Sequence, residues 1–274
     1  MTQANALLAE LWYETAPDLT DPGLLAGLRT ISPGAEAQQD SLSVPYVAPD
    51  GSPAAPADGS AAGDGAARPL LTVVLPASTL GEGGKSRPDV SQTWDWAGAE
   101  EAVGRAGASV LVTEMFAEGH PGRDRAAALT SVVAALTAAT RPLAVSWPTS
   151  SRVTDPAGPP PEGLGGLLNV RLFSVADDED ELVMDTLGLA PFGLPDVQCH
   201  FRDLAPGRVA GWLFATGSYL FEAGDVIGDG DTVSGLEGDE HWRCRHEDAL
   251  VAPARRVLDV DPGEPYAAGR RERG

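Results

Sequence analysis

The residues in this sequence best suited to metal chemistry are the cysteines and histidines of its last third. Cys199 is followed directly by His200, and Cys244 stands two residues before His246, with His241 nearby. Thiolates and imidazoles are preferred zinc ligands. In a strand, Cys199 and His200 point to opposite faces, which disfavours their binding one ion. Cys244 and His246 share a face, so these two and His200 are the metal candidates. The spacing lacks the Cys-x-x-Cys pairs of zinc fingers, and the alternative is that both cysteines fill the core.

A second pattern resembles a phosphate-binding loop. Gly83-Gly84-Lys85-Ser86 follows an apolar run, but Thr79 stands where that motif requires a glycine. The motif also requires a helix that begins at the lysine, and Pro88 disfavours one there. We therefore predict a polar loop and no nucleotide site.

The aspartates between Asp225 and Asp239 suggest a calcium loop. An EF-hand pattern that begins at Asp229 requires Asp or Asn at Val233 and glycine at Ser234, and both positions fail. The Asp229-Gly230 pair is instead typical of a hairpin turn.

Glu114 is the one acid inside the apolar run SVLVTEMF. It is either a buried carboxylate with a raised pKa or a side chain that faces solvent at the strand end, and we favour solvent. No Gly-x-Ser-x-Gly nucleophile motif occurs. The sequence thus predicts no catalytic residue and no cofactor.

Composition limits the classes of partner. Of the 274 residues, 40 are acidic and 19 are Lys or Arg, which gives a formal net charge of −21. This charge repels phosphate backbones and anionic lipids, so we expect neither a nucleic-acid nor a membrane partner, and a basic protein partner is permitted. No apolar run approaches the ~18 residues of a membrane span, and the N-terminus lacks the basic region of a signal peptide. We expect a cytoplasmic protein.

Apolar runs and turn residues predict the elements of the first half. Their order is strand, helix, strand, strand, helix and strand, which is the split βαβ order of a ferredoxin-like unit. The strands are Leu7 to Glu14, Ser41 to Val47, Leu70 to Leu75 and Ser109 to Phe116, and the helices begin at Asp21-Pro22 and span Asp95 to Arg105. Residues 48–68 are nearly all Ala, Gly, Pro, Ser and Asp, so we expect a disordered insertion.

The second half begins with an Ala-rich helix. This helix spans Arg123 to Thr140, and a Pro- and Gly-rich loop follows from Ser150 to Gly166. Predicted strands are Leu143 to Trp147, Leu168 to Val175, Leu182 to Leu189, Val197 to Phe201 and Val257 to Val260. A helix from Pro206 to Glu222 is apolar nearly all round, so we expect it to be covered on more than one side.

Several segments together resemble a known family. They are TWDWAGAEEAV, SVLVTEMFAEG, LLNVRLF, VMDTLGLAPFGLPDVQCHF, YLFEAGDVIGDGDTVSG and HWRCRHEDALVAPARRVLDVDP. Over roughly Gln92 to Pro262 the sequence resembles the bacterial domain of unknown function 4261. Such domains resemble those found near polymorphic-toxin, secretion and immunity-type genes, which implies a protein-binding role. The resemblance brings no catalytic residues to this sequence.

From these elements we predict an α+β fold of two ferredoxin-like halves packed into one compact body, with mixed and antiparallel sheets. The N-terminal half is residues 1–118 with the insertion at 48–68, the C-terminal α+β half is 119–262, and 263–274 is a flexible tail. A single-domain mixed sheet is the alternative.

Three functions follow as hypotheses. The first is a non-enzymatic protein-binding module, an immunity or adaptor component of a toxin or secretion system. The second is a metal-dependent enzyme that uses Cys244, His246 and His200. The third is a small-molecule binding module with a cleft between the two predicted halves, lined by Trp94, Trp96 or Trp242.

Overall fold

The computed structural model describes residues 6–49, 51, 69–75, 78–79, 86–158, 164–175 and 178–269. The chain divides into two units, Met1–Leu167 and Leu168–Gly274, each with its own sheet. Helices and mostly antiparallel strands are present in both units, which confirms the predicted α+β class.

The sheet of the first unit is antiparallel throughout. Seven of its strands follow the order β2-β3-β4-β6-β1-β7-β8, and the short β5 also pairs with β6. The strands are β1 (Leu8–Tyr13), β2 (Glu36–Gln38), β3 (Ser41–Pro45), β4 (Leu71–Val74), β5 (Ser78–Thr79), β6 (Ala108–Met115), β7 (Ala144–Trp147) and β8 (Arg152–Thr154).

Helices cover both faces of this sheet. They are α1 (Pro22–Ile31), α2 (Ala99–Arg105) and α3 (Gly122–Thr140). Trp12 of β1 packs with Val103 of α2, whereas the neighbouring Tyr13 forms a 2.8 Å hydrogen bond with Thr140 of α3. Because successive side chains of a strand point to opposite faces, α2 and α3 lie on opposite sides of the sheet.

The ferredoxin-like order predicted for the first unit is not confirmed. A split βαβ unit has two parallel strands with a third strand between them. The last two strands of the predicted order, β4 and β6, instead pair directly and antiparallel, with Thr72 opposite Glu114. This direct pairing places β6 between β4 and β1.

The first unit also extends beyond the boundary predicted at residues 118 and 119. Strand β7 pairs with β1, with Val145 opposite Leu11, and α3 packs on the same sheet. Gly119 has a φ of 78° and lies in the turn that leads into α3. This turn is a connection within one unit.

The sheet of the second unit is mixed. Its order is β12-β13-β14-β11-β10-β9, with β11 and β14 parallel and the other pairs antiparallel. The elements are β9 (Asn169–Val175), β10 (Asp178–Leu187), β11 (Asp196–Phe201), α4 (Pro206–Ala223), β12 (Thr232–Ser234), β13 (His241–Asp248) and β14 (Arg256–Asp261). A hairpin is present and consists of β12 and β13, with its turn at 235–240. The predicted turn residues Asp229-Gly230 precede β12 and form a separate turn.

Helix α4 covers one face of the second sheet. Leu213 and Leu220 on its inner face are fully buried, and its Trp212 ring lies 4.9 Å from the ring of Trp242 on β13. On the outer face Tyr219 is 54% exposed. At this residue α4 is therefore not covered on a second side, contrary to the expectation from its apolar sequence.

The opposite face of the second sheet carries a row of polar side chains. Residues in mutual register on five neighbouring strands form it: Arg171, Asp185, Gln198, Asp259 and Arg245. All but Arg245 are buried. Two contacts in the row are direct, because Arg171 binds both oxygens of Asp185 and Gln198 Nε2 donates to Asp259 at 3.1 Å.

The tail predicted to be flexible from residue 263 is ordered up to 269. The amide of Arg202 donates to the Tyr266 carbonyl at 2.9 Å, and Ala268 is 1% exposed. The amide of Gly269 donates to Glu181 at 3.2 Å. These contacts hold the segment on β10 and β11, so it is part of the second unit.

Some predictions lie outside the described residues. These are the Gly83-Gly84-Lys85 part of the loop, most of the insertion at 48–68, residues 159–163 of the second loop, and the last five residues. In the part of the chain that is described, none of the helices has the length and apolar character to span a membrane.

Candidate functional site

Helix α3 presents two chemically different faces. Leu129, Val132 and Leu136 are buried against the sheet. The other face has small side chains at helical spacing, and Ala127, Ser131, Ala134 and Ala138 are exposed there. Arg141 ends the helix in the left-handed conformation, with a φ of 51°. A long, small-residue face is therefore left open beside the sheet.

This face forms one wall of a groove with a cavity volume of about 890 Å³. Strands β7 and β8 and the segments that follow them form the other wall. The lining residues are Ala127, Thr130, Ser131, Val133, Ala134, Thr137, Ala138, Arg141, Pro142, Val145, Trp147, Thr154, Asp155, Pro156, Ala157, Gly158, Gly165 and Gly166. The volume lies within the range of ligand-binding clefts, about 300–1,000 Å³.

The wall opposite α3 is held by Trp147. Its indole packs so closely on Gly166 that a Cβ atom there would overlap the ring. The indole Nε1 donates to Thr154 at 3.1 Å, and the hydroxyl of Ser150 donates to the Gly166 carbonyl at 2.5 Å. Gly166 is thus required for a close approach, and these bonds fix the wall in place.

The described lining of the groove carries few charged side chains. Among the described residues that line it, Arg141 and Asp155 alone are charged. Asp155 accepts a hydrogen bond of 2.8 Å from the amide of Ala157, so it caps its own turn. Asp155 is thus engaged in its own turn, and the mostly apolar lining that is described suits an uncharged, apolar surface.

The predicted metal candidates do not come together. Cys199 and Cys244 are fully buried on the α4 side of the second sheet, and β14 lies between their strands. Two strand spacings separate them by about 10 Å. His200 lies on the opposite face, where its Nε2 is 3.0 Å from Glu181. In the described residues, no three or more His, Cys, Asp or Glu side chains are arranged to hold a metal.

The third candidate, His246, lies between two aspartates. Its Nδ1 is 2.8 Å from Asp229 and its Nε2 is 3.0 Å from Asp225. Burial alone lowers the pKa of His246, but its hydrogen bonds with both aspartates and their charges raise it above its usual value. The hydrogen bonds from the His246 amide and ring lower the pKa of Asp229. The two aspartates favour the imidazolium form, and their hydrogen bonds with the ring tether the loop before β12.

Cys244, the cysteine among the metal candidates, is a poor nucleophile. Burial, with the charges of Asp231 and Asp259, raises the pKa of Cys244 to about 11. A thiol with such a pKa carries almost no thiolate at neutral pH and is a poor nucleophile. This placement matches the core-filling interpretation of Cys244.

The tryptophans proposed to line a cleft are also dispersed. Trp94 is 54% exposed, Trp96 packs against the cluster around Val103, and Trp242 is buried under α4. None of the three lines the groove beside α3.

Sequence reasoning missed a buried ionic network in the second unit. Arg255 donates from Nε to Asp196 at 2.8 Å and from Nη2 to Asp185 at 2.6 Å. Arg171 also binds Asp185, at 2.9 and 2.6 Å. Burial alone lowers the pKa of Arg255, but the charges of the two aspartates raise it above its usual value. Burial raises the pKa of Asp196 against the attraction of Arg255.

The same arginines hold the chain that connects β13 and β14. Arg171 donates to the Ala252 carbonyl at 2.9 Å, and Arg255 donates to the Pro253 carbonyl at 3.0 Å. A sequence signal for the network existed, because single charged residues such as Asp185 interrupt otherwise apolar strands. Its role is to join strands and loop, since its ionised groups are all buried.

The expectation that Glu114 faces solvent was wrong. Its side chain is fully buried and is paired with Arg125 of α3 through both carboxylate oxygens. The amide of Leu7 also donates to it at 2.7 Å. The partner Arg125 lies on the next helix, which a strand pattern alone does not reveal.

Comparison of the chain with curated proteins and with solved structures found no match. A family model does match within the segment, Gln92 to Pro262, over which the sequence shows its resemblance. Residues 185–261, which include Asp185, Asp196 and Arg255 of the buried network, match the family described as Domain of unknown function (DUF4261).

Proposed function

We propose that the protein is a non-enzymatic binding module that takes up a segment of a protein partner in the groove beside α3. The observation that carries this proposal is the groove itself, an open cavity of about 890 Å³ with an almost uncharged lining. Apolar clefts of this kind are typical of binding sites.

The dimensions of the groove suit a helical or extended segment. From Ala127 to its end at Thr140 the helix α3 rises about 20 Å at 1.5 Å per residue. Its alanines allow the backbone of a partner to approach closely. An amphipathic segment with its apolar side chains at helical spacing would bury them in such a groove.

The net charge of −21 favours a partner segment that is basic. An acidic protein attracts a basic segment over distances of about one Debye length, ~8 Å at physiological salt. Apolar contacts in the groove then set the dissociation rate, and the charge sets the association rate. We expect salt to slow association strongly and to change dissociation little.

The setting we propose is that of the family resemblance, an immunity or adaptor component of a toxin or secretion system that acts in the cytoplasm. This setting is supported by the resemblance alone. The proposal of a binding groove does not depend on this setting. The identity of the partner found in the binding test below would show which pathway the protein belongs to.

The test compares two variants of the same helix. Ala134→Arg places a long cation in the groove, and Ala139→Arg places the same cation on an exposed position of α3 outside the lining. The two proteins have equal net charge. Tagged wild-type protein and both variants are purified from the native host at low and moderate salt, and bound proteins are quantified by mass spectrometry.

We expect a stoichiometric partner with wild type and Ala139→Arg, and at least a tenfold loss with Ala134→Arg. Equal retention by both variants would place the partner elsewhere and overturn the groove as the site. A protein that is recovered alone under every condition would count against the binding role itself.

A further inference from the structure

The connection between β13 and β14 carries a run of apolar side chains on its surface. Residues 249–254 read Ala-Leu-Val-Ala-Pro-Ala, without a polar side chain, and we call them the apolar loop. All six are exposed or half-buried, and Leu250 is 55% exposed. An exposed run of more than about four apolar residues is unfavourable in water unless a partner covers it.

The backbone of the apolar loop is held by three buried polar side chains. Arg171 and Arg255 donate to three consecutive carbonyls at 2.9 to 3.3 Å, those of Val251, Ala252 and Pro253. The amide of Leu250 donates to Gln198 Oε1 at 2.8 Å. Arg171, Arg255 and Gln198 are each at most 9% exposed. The loop therefore has a fixed backbone, although its own side chains are not buried.

Buried ions are an inefficient means of stabilising a sheet. A buried ion pair typically adds little stability beyond that of well-packed apolar residues, because both ions lose their hydration. The directed hydrogen bonds of Arg171 and Arg255 instead supply one backbone conformation for the apolar loop. A fixed loop loses less conformational entropy on association than a flexible loop does. A single loop conformation is therefore what recognition by another molecule requires.

We propose that the apolar loop is an interaction surface that inserts Leu250 into an apolar cleft of a protein partner, and that this cleft has a basic rim. The carboxylates of Glu247 and Asp248 lie beside the loop at the end of β13, with Arg256 opposite Asp248. An apolar centre with a polar rim is the usual anatomy of a protein interface. The net charge of −21 has the same sign as this rim, which disfavours an anionic membrane or a second copy of the chain.

This surface is separate from the groove beside α3. The apolar loop lies in the second unit, and none of its residues lines the groove. The Ala134→Arg variant leaves the loop unchanged, so each surface is tested by variants of its own. Failure of one proposal therefore leaves the other standing.

The experiment places a photoreactive group on the apolar loop. Both natural cysteines are buried, so Ala252→Cys adds one exposed thiol that a benzophenone maleimide labels selectively. The labelled full-length protein is irradiated in lysate of the native host at low and moderate salt. Crosslinked residues are identified by mass spectrometry, and the crosslink yield over a range of protein concentrations gives an apparent affinity.

Two further variants, each with the same label, form a matched pair. Leu250→Asp removes the apolar anchor, and Tyr219→Asp makes the same kind of change on α4 at a side chain that is 54% exposed. Both positions are exposed, so we expect both variants to fold. Each adds one negative charge, so the variants do not differ in net charge.

We expect one discrete crosslink, to a protein residue in an apolar cleft beside Lys or Arg, with a higher yield at low salt. Leu250→Asp should weaken the apparent affinity about ten- to a hundredfold, the contribution of one buried leucine side chain. Tyr219→Asp should leave it within about twofold of the parent.

A crosslink to a second copy of the chain or to lipid would overturn the proposed partner. The absence of a discrete product would refute the loop as an interaction surface. Equal crosslinking by Leu250→Asp and Tyr219→Asp would show that Leu250 is not the anchor, and the proposal would fall with it.

Discussion

Replacement of Arg255 by methionine tests whether the second unit depends on its buried ions. The side chains of Arg255, Asp185 and Asp196 are at most 3% exposed. In the variant Asp185 keeps the bonds from Arg171, but Asp196 loses its ion pair and retains the Thr186 hydroxyl and the Leu189 amide as partners. An uncompensated buried charge costs about 3–5 kcal/mol, so we expect the free energy of unfolding of this unit to fall by that amount.

The loss should depend on pH in a defined direction. The pKa of Asp196 is already raised by burial in the wild-type protein, and removal of Arg255 removes an attraction that lowers it. A folded carboxyl with a raised pKa binds its proton more tightly than the unfolded chain does. The variant is therefore penalised most above the folded pKa, and the penalty shrinks by up to ~1.4 kcal/mol per pH unit as pH falls toward the unfolded value near 4.

Hydrogen exchange of the β11 amides measures the opening free energy of this unit at two pH values. The matched control is Arg208→Met, which breaks an exposed 2.7 Å pair with Glu237 and should cost under about 1 kcal/mol. Adding Asp196→Asn to Arg255→Met should restore part of the loss, because the unpaired charge is gone. A loss below about 1 kcal/mol, or one that is equal at high and low pH, would refute this reasoning.

Two further predictions concern the chemistry around β13. Stability from the imidazolium of His246 is fully present below the unfolded histidine pKa of about 6.5 and is lost as pH rises through the higher folded pKa. NMR titration of the ring should show the raised pKa, Asp225→Asn should lower it, and a value at or below 6.5 contradicts the geometry. Cys244, with a thiol pKa of about 11, should resist a maleimide near neutral pH in folded protein and react in urea, as read by mass spectrometry. Equal labelling in both states would contradict its burial.

The sequence predicted elements better than it predicted their neighbours. Apolar runs such as Leu70 to Leu75 are strands because each run is locally bounded by turn residues. The insertion of β6 between β4 and β1 depends on contacts between distant residues, which periodicity does not encode. The ferredoxin-like order was not confirmed for this reason, and the predicted 118/119 boundary differs from the division after Leu167, since both predictions rested on the sequence of elements alone.

The candidate sites were harder still to predict. The alanines of α3 indicate a helix. The groove beside them also depends on the opposite wall, which Trp147 and Gly166 form. The partner of Glu114, Arg125, lies on a neighbouring helix, which the pattern of the strand does not reveal. The buried network was missed, although a single charge such as Asp185 inside an apolar strand indicates an ion pair.

The polar row across the second sheet has a consequence for how that sheet assembles. The parallel pair β11–β14 joins segments that are far apart in the chain, so it must find its alignment late and without a connecting turn. A slip of one residue would turn Gln198 or Asp259 into the apolar layer under α4, and a slip of two would bring Asp259 away from Gln198. Each wrong alignment leaves a buried polar group without its hydrogen-bond partner. The row therefore destabilises misaligned sheets relative to the native register.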